Sequence, residues 1–177
     1  MVKCGLNNHT PMKTKTIELY EYSELSPEAK EKALAKWNET NDDPLMQSHM
    51  INLLKEKLEE RGIKYDTDSI DVRYSLGYSQ GDGFMFEGKL EDEKERAITI
   101  KHDGNAHYYH SHTANIDYPE ASETDYAKFE KVYQAICNEM ERIGYDETEQ
   151  QQSEESFQDA CDANEYTFRK DGTMENA

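Results

Sequence analysis

Residues 70–79 alternate between apolar and polar or small side chains, and this alternation constrains the fold more than any other feature of the chain. The apolar members are Ile70, Val72, Tyr74, Leu76 and Tyr78. A period of two is typical of a strand with one buried and one solvated face. Gln80 to Gly83 then supplies turn residues, and Phe84 and Phe86 begin a return strand.

Further strands are predicted on both sides of this hairpin. A charged turn, Glu91 to Glu95, leads to a strand in which Ile98 and Ile100 face inward, and Asp103-Gly104-Asn105 forms the next turn. The segment from His107 to Tyr118 is then predicted as one continuous strand that ends before Pro119. Strands are also predicted at Thr14 to Tyr22 and, as a short one, at Glu165 to Lys170. Strands joined by tight turns favour an antiparallel meander.

Two short helices are predicted before the hairpin. Ser26-Pro27-Glu28 combines a capping hydroxyl, a proline at the first helical position and an acid in the first turn, so a helix is expected over 27–39. Asn41 to Pro44 interrupts it. A second helix follows, because its apolar residues recur every three or four positions, and Gly62 is placed to end it in a left-handed conformation.

A longer helix is predicted from Thr124 or Asp125 to Gly144, because an apolar stripe runs from Phe129 to Ile143. Asp146 to Glu155 is predicted as an acidic loop, and residues 153–163 as a further short helix. The chain is therefore expected to be an α+β protein, with an antiparallel β-meander of about four to five strands and helices packed on one face. Residues 1–13 are expected to be flexible, and residues 14–177 to form a single domain.

The net charge is −18, and −12 of it lies in residues 113–177. The electrostatic field of so negative a chain repels phosphates and anionic membranes and attracts basic surfaces. Direct binding of nucleic acid or of a membrane is therefore not expected. Binding to a basic protein that itself handles nucleic acid is expected instead, and the sequence specifies no oligomeric state.

The three cysteines, Cys4, Cys137 and Cys161, are far apart and odd in number, a pattern typical of reduced thiols. The first residues lack the continuous apolar segment of a secretory signal. We therefore expect the protein to act in the cytoplasm.

Carboxylates are most concentrated between Glu139 and Glu165, where ten acidic residues accompany one base, Arg142. One interpretation is that this face only keeps the protein soluble. The other is that the carboxylates imitate phosphates and occupy a nucleic-acid-binding groove of a partner. The candidate contact residues are Glu139, Glu141, Asp146, Glu147, Glu149, Glu154, Glu155, Asp159 and Asp162.

Two other segments carry chemistry-bearing residues. His107, His110 and His112 lie close together on the predicted strand, where a His-X-His pair can bind one metal ion. Asp82 lies in the hairpin turn. No nucleophile elbow, Cys/His/Asn order or zinc-protease helix is present, so no catalytic residue, metal ligand or cofactor is assigned. A small enzyme or metal-binding protein using Asp82 or the His107–His112 strand is one alternative.

The chain resembles a family of small, mostly uncharacterised acidic α+β proteins encoded by bacteriophages, prophages and plasmids, some of them labelled antitoxin-like. The resemblance rests on residues 20–33 with Trp37, on residues 74–84 with Phe86, and on the histidine- and tyrosine-rich residues 107–110. It implies a mobile-element origin and the same α+β domain, and it carries over no catalytic residue.

These observations together predict a phage-encoded, non-enzymatic inhibitor of the anti-CRISPR or anti-restriction type. It would bind a basic nucleic-acid-handling host protein, for example a nuclease, through a DNA-mimicking surface, and exposed tyrosines could add contacts at the centre of that interface. The other alternative is an antitoxin or assembly partner that binds one protein through apolar contacts.

Overall fold

The computed structural model describes residues 16–40, 45–104 and 108–175. The chain divides into two compact units. A central unit is formed by the described residues from Leu45 to Ser153, and a terminal unit by those up to Thr40 together with those from Glu154 onward. The predicted flexible segment 1–13 lies outside the described residues, as do Cys4, the break at Asn41 to Pro44, and His107. The single domain over 14–177 stays a prediction.

An antiparallel sheet of five strands forms one layer of the central unit. The strands are β1 (Lys64–Tyr65), β2 (Asp71–Ser75), β3 (Gly83–Glu91), β4 (Ala97–His102) and β5 (Ala114–Asp117). β2 to β5 pair consecutively, with Val72 opposite Phe86 and Ile100 opposite Ile116. β1 pairs with the C-terminal end of β3. The predicted α+β class and antiparallel meander are therefore confirmed.

Helices α2 (Met46–Glu60) and α3 (Glu123–Gln151) cover one face of this sheet. Both were predicted, and the end of α2 follows the expected chemistry, with Gly62 in the left-handed region at φ 65°. At the start of α3 the Ser122 hydroxyl accepts a hydrogen bond from the backbone N–H of Asp125 at 3.1 Å. The buried residues between helices and sheet include Met50, Leu54, Leu58, Val72, Phe84, Phe86, Ile98, Tyr133, Ile136, Cys137 and Met140.

The predicted end of α3 at Gly144 is wrong, as is the loop predicted from Asp146. The helix continues to Gln151. Gly144 is buried, and a methyl group at its Cα would lie 2.5 Å from Cδ1 of Leu76 and 3.2 Å from Cε of Met50. The missing side chain therefore makes room for these two neighbours and does not reverse the chain.

The strand predicted from His107 to Tyr118 is also wrong in extent. Only Ala114–Asp117 forms β5, and it follows a 3-10 turn at Ser111–Thr113. The buried hydroxyl oxygen of Thr113 lies 3.1 and 2.9 Å from the carbonyl oxygens of Tyr108 and His110, which share its one proton, and it accepts the backbone N–H of His110 at 3.2 Å. These side-chain bonds fold the segment on itself and compete with pairing in a sheet.

The strand predicted over residues 70–79 stops at Ser75 for a related reason. Ser75 and Ser79 both donate their hydroxyls to Asp82 at 2.9 Å. Between them Tyr78 adopts a left-handed backbone with φ 55°. The side chain of Asp82 therefore organises a wide turn where continued alternation was expected.

The terminal unit consists of helices α1 (Pro27–Thr40) and α4 (Glu154–Asn164) with short extended segments. Both helices were predicted. Its buried core contains Tyr22, Phe157 and Phe168, whose rings pack at centroid distances of 4.9–6.2 Å. The predicted strand from Thr14, which itself lies outside the described residues, is reduced to an isolated bridge between Tyr20 and Phe168. The strand predicted at 165–170 is reduced in the same way.

Candidate functional site

The nine candidate carboxylates are divided between the two units. Glu139, Glu141, Asp146, Glu147 and Glu149 lie on α3 in the central unit, and Glu154, Glu155, Asp159 and Asp162 lie on α4 in the terminal unit.

Glu139 is held by cations of its own unit. Its carboxylate lies 2.7 Å from Nη2 of Arg61 and 3.2 Å from Nζ of Lys57, both at the end of α2. The hydrogen bond from Arg61 is the main reason that the pKa of Glu139 is lowered. This pairing ties α3 to α2, so Glu139 has a structural role in addition to any contact with a partner. Glu141, two residues further along, is half-buried.

Asp146 and Glu147 also have polar neighbours within the central unit. Arg142, one helical turn before Asp146, donates to it at 3.0 Å. His49 of α2 lies 3.5 Å from Glu147. The last acid of this group, Glu149, accepts the hydroxyl hydrogen of Tyr78 at 2.5 Å. Four of the five candidate carboxylates on α3, all except Glu141, thus have a polar partner among the described residues of the central unit.

The carboxylates of α4 are arranged differently and are called here the α4 acidic face: Glu154, Glu155, Asp159 and Asp162. All four side chains are exposed, while Phe157 and Cys161 on the opposite side of the helix are buried. Glu154 accepts a 3.3 Å hydrogen bond from the hydroxyl of Tyr22. Glu155, Asp159 and Asp162 form no ion pair with any residue that the structure describes. With Gln158 the four acids line a shallow depression of 370 Å³.

The average density of these charges along the helix axis is similar to that of the phosphates along one nucleic acid strand. An α-helix rises about 1.5 Å per residue, so the four carboxylates from 154 to 162 span about 12 Å of helix axis, with intervals of about 1.5, 6 and 4.5 Å that average about 4 Å. The phosphates of one strand of duplex DNA follow one another at about 3.4 Å along its axis. The helix contains no lysine or arginine to interrupt the series. A groove that binds one phosphate backbone would meet a similar density of negative charge here.

The hairpin turn is organised around Asp82, whose residue surface is only 9% exposed. One carboxylate oxygen accepts the hydroxyls of Ser75 and Ser79, and the other accepts the backbone N–H of Ser79 and the hydroxyl of Tyr145, all at 2.9 Å. Desolvation raises the pKa of Asp82, but these hydrogen bonds outweigh it and lower the pKa to about 2. With four donors in place, the carboxylate is a structural acceptor and is poorly suited to act as a general base.

The histidine-rich segment packs against the start of β3. The rings of His110 and His112 are stacked at 4.9 Å, and a methyl group at Gly83 would lie 2.3 Å from Nδ1 of His110. Among residues 16–40, 45–104 and 108–175, no three His, Cys, Asp or Glu side chains are grouped to hold a metal ion. In the described part of this segment, His110 therefore packs against β3 and His112 stacks on His110.

The two described cysteines are buried and free. Burial raises the pKa of the Cys137 thiol to about 12 and that of the Cys161 thiol to about 11. A thiol is nucleophilic only as the thiolate, so neither cysteine is prepared for covalent chemistry.

Sequence reasoning missed the partnership between the hairpin turn and α3. Tyr145 lies just beyond the predicted end of the helix at Gly144, whereas α3 in fact continues through it, directs its hydroxyl to Asp82 and places its ring 4.8 Å from the ring of Tyr78. Only the repeated serine and tyrosine residues around Asp82 hinted at a hydrogen-bonded turn. Since residues 78 and 145 are distant in sequence, their contact had no local signal.

No protein-family model matches the chain, and neither a curated protein nor a solved structure matches it. The resemblance to phage and plasmid proteins therefore stays a prediction. No helix in the described part of the chain is both long and apolar enough to cross a membrane.

Proposed function

We propose that the protein is a non-enzymatic inhibitor, encoded by a phage or related mobile element, that acts in the cytoplasm of its bacterial host. It binds a basic nucleic-acid-handling protein of that host, such as a CRISPR or restriction nuclease, through carboxylates that imitate phosphates. The observation that carries this proposal is the α4 acidic face, with three exposed carboxylates that lack a cation partner among the described residues.

The energetics of an unpaired acidic face support this proposal. Carboxylates that are already paired must break those pairs before they can bind a new cation, whereas Glu155, Asp159 and Asp162 need only lose water and counterions. Such charges increase the rate of encounter with a basic partner, and the increase falls as salt rises. The net charge of −18 acts in the same direction at longer range.

Affinity capture from a bacterial lysate tests the proposal. The variant Glu155→Gln/Asp159→Asn/Asp162→Asn, called here the α4-neutral variant, removes three charges with little change in side-chain shape. The control is Glu31→Gln/Glu56→Gln/Glu130→Gln, which removes three exposed charges elsewhere. We expect the wild type and the control to retain a nucleic-acid-binding protein at low salt, and the α4-neutral variant to lose it.

Two results would contradict the proposal. If the α4-neutral variant retained the same proteins as the wild type, the acidic face would serve only solubility. If one partner stayed bound through a high-salt wash, apolar contacts would dominate and an antitoxin or assembly partner would be the better description. An apolar cavity of 590 Å³ in the terminal unit, lined by Ala33, Trp37 and Met174 among others, gives that second function a physical basis.

A further inference from the structure

Tyr78 is the most exposed aromatic side chain that the structure describes, at 64%. Exposure of a tyrosine usually accompanies mobility, but this ring is fixed at three points. It packs at 4.8 Å on the ring of Tyr145, its hydroxyl donates to Oε1 of Glu149 at 2.5 Å, and its turn is closed by Asp82. The side chain is thus held outward in one position by the central unit.

Carboxylates lie close to both rings of this pair. The negative charges of Glu149 and Asp146 are near the Tyr78 side chain, and those of Asp82 and Glu141 are near the Tyr145 side chain. Oε2 of Glu149 has no partner among the described residues, so it can still accept a hydrogen bond beside the ring. No lysine or arginine lies over Tyr78 in the part of the chain that the structure describes. A fixed aromatic face with carboxylates at its edge is complementary to a planar cation.

The same chain contains one such arrangement in which the cation is present. The guanidinium of Arg96 lies 5.1 Å from the centre of the Tyr118 ring and donates to Asp92, while the Tyr118 hydroxyl donates to the same carboxylate at 2.6 Å. Tyr78 and Glu149 repeat the tyrosine and the carboxylate of that group without the arginine. An arginine side chain from outside would complete it.

We propose that Tyr78 and Glu149 form a binding position for an arginine side chain of the partner. This inference rests on the proposed function for the basic character of the partner, and it adds a preference for arginine over lysine. A guanidinium can stack flat on the tyrosine ring and donate two hydrogen bonds to the Glu149 carboxylate, whereas an ammonium group offers only a compact charge. Stacked aromatic and arginine side chains are also common among the residues that dominate binding energy.

The preference can be measured with fluorescently labelled octaarginine and octalysine, which carry equal charge. We expect the wild type to bind octaarginine about fivefold more tightly than octalysine, because both cations can lie over the ring but only a guanidinium stacks flat on it and donates two hydrogen bonds to one carboxylate. Tyr78→Leu should lower this ratio at least about twofold, since the ring is lost while the Glu149 carboxylate remains, and Tyr78→Phe, which keeps the ring, should retain most of it. Tyr108→Leu is the matched control, since Tyr108 is another exposed tyrosine of the same unit, at 44%.

The outcomes separate this inference from the proposed function. If both peptides bind equally, or if the ratio is unchanged in Tyr78→Leu, the arginine position is refuted. The proposed function then still stands, provided that octalysine binding is lost in the α4-neutral variant. If neither peptide binds the wild-type protein, both ideas are refuted. Upfield shifts of the arginine δ-methylene protons, lost only in Tyr78→Leu, would place the peptide on the ring.

Discussion

Replacing Asp82 by asparagine should destabilise the protein in a way that depends on pH. The pKa of Asp82 falls from 3.8 to about 2 on folding, and one pKa unit corresponds to about 1.36 kcal/mol. The ionised carboxylate therefore contributes about 2 kcal/mol to the free energy of unfolding at pH 7. Asparagine keeps the size of the side chain but replaces one acceptor oxygen by an amide donor, which faces hydroxyl and N–H donors.

The sign of the pH dependence follows from the direction of the shift. Because the folded pKa lies below the unfolded value, the contribution is fully present above about pH 4 and is lost as the pH falls toward 2. At pH 3 about half of it, or about 1 kcal/mol, should remain. The difference in unfolding free energy between wild type and Asp82→Asn should therefore shrink by about 1 kcal/mol between pH 7 and pH 3.

Urea unfolding followed by circular dichroism at both pH values measures this difference. The control is Asp117→Asn, since Asp117 is exposed and its carboxylate forms no ion pair with a described residue. We expect the control to change stability by less than about 0.5 kcal/mol at either pH. A cost for Asp82→Asn that is equal at pH 7 and pH 3 would refute the reasoning, because it would show that the charge of Asp82 contributes nothing.

Three further substitutions test the packing of each unit by the same unfolding measurement. Tyr133→Phe removes a buried hydroxyl that donates to the carbonyl oxygen of Phe86 at 3.1 Å and should cost about 1 kcal/mol; no loss would mean that this bond is not formed. Gly144→Ala should change stability by less than about 1 kcal/mol, because the added methyl meets only the ends of the Leu76 and Met50 side chains and alanine favours the helix over glycine by about 1 kcal/mol; a cost above about 3 kcal/mol would show that these side chains cannot move aside. Phe157→Ala should cost about 3–5 kcal/mol, since the ring is fully buried; a value below about 1 kcal/mol would contradict the described core of the terminal unit.

Local patterns in the sequence predicted the helices and strands that are determined by residues close together in the chain. The start of α1 and the left-handed residue after α2 follow from capping chemistry within a few positions of Pro27 and Gly62. The hairpin of β2 and β3 follows from alternation around one turn. These signals need no knowledge of the rest of the chain, so they were available before the structure.

The errors arose where a distant or side-chain contact overrides the local pattern. Gly144 has the appearance of a helix terminator, but it is small because Leu76 and Met50 pack against it. Residues 108–113 were predicted to belong to a strand, but the hydroxyl of Thr113 bonds to nearby backbone groups and folds the segment into a turn. The contact between Tyr78 and Tyr145 could not be predicted, because it depends on the tertiary fold and neither residue lies near the other in the sequence.

The composition of the candidate surface was visible in the sequence, but the availability of its charges was not. Glu139 and Glu155 are equivalent in a list of acidic residues. The structure distinguishes them, because Arg61 binds Glu139 and no described cation binds Glu155. That difference concentrates the proposed phosphate mimicry on α4.

Competition with nucleic acid tests this central claim most directly. Once capture has identified a nucleic-acid-binding partner, fluorescence anisotropy can follow labelled DNA or RNA bound to it while this protein is added. If the α4 acidic face imitates phosphates, the wild type should displace the nucleic acid and the α4-neutral variant should not. A stable ternary complex of partner, nucleic acid and wild-type protein would contradict the account.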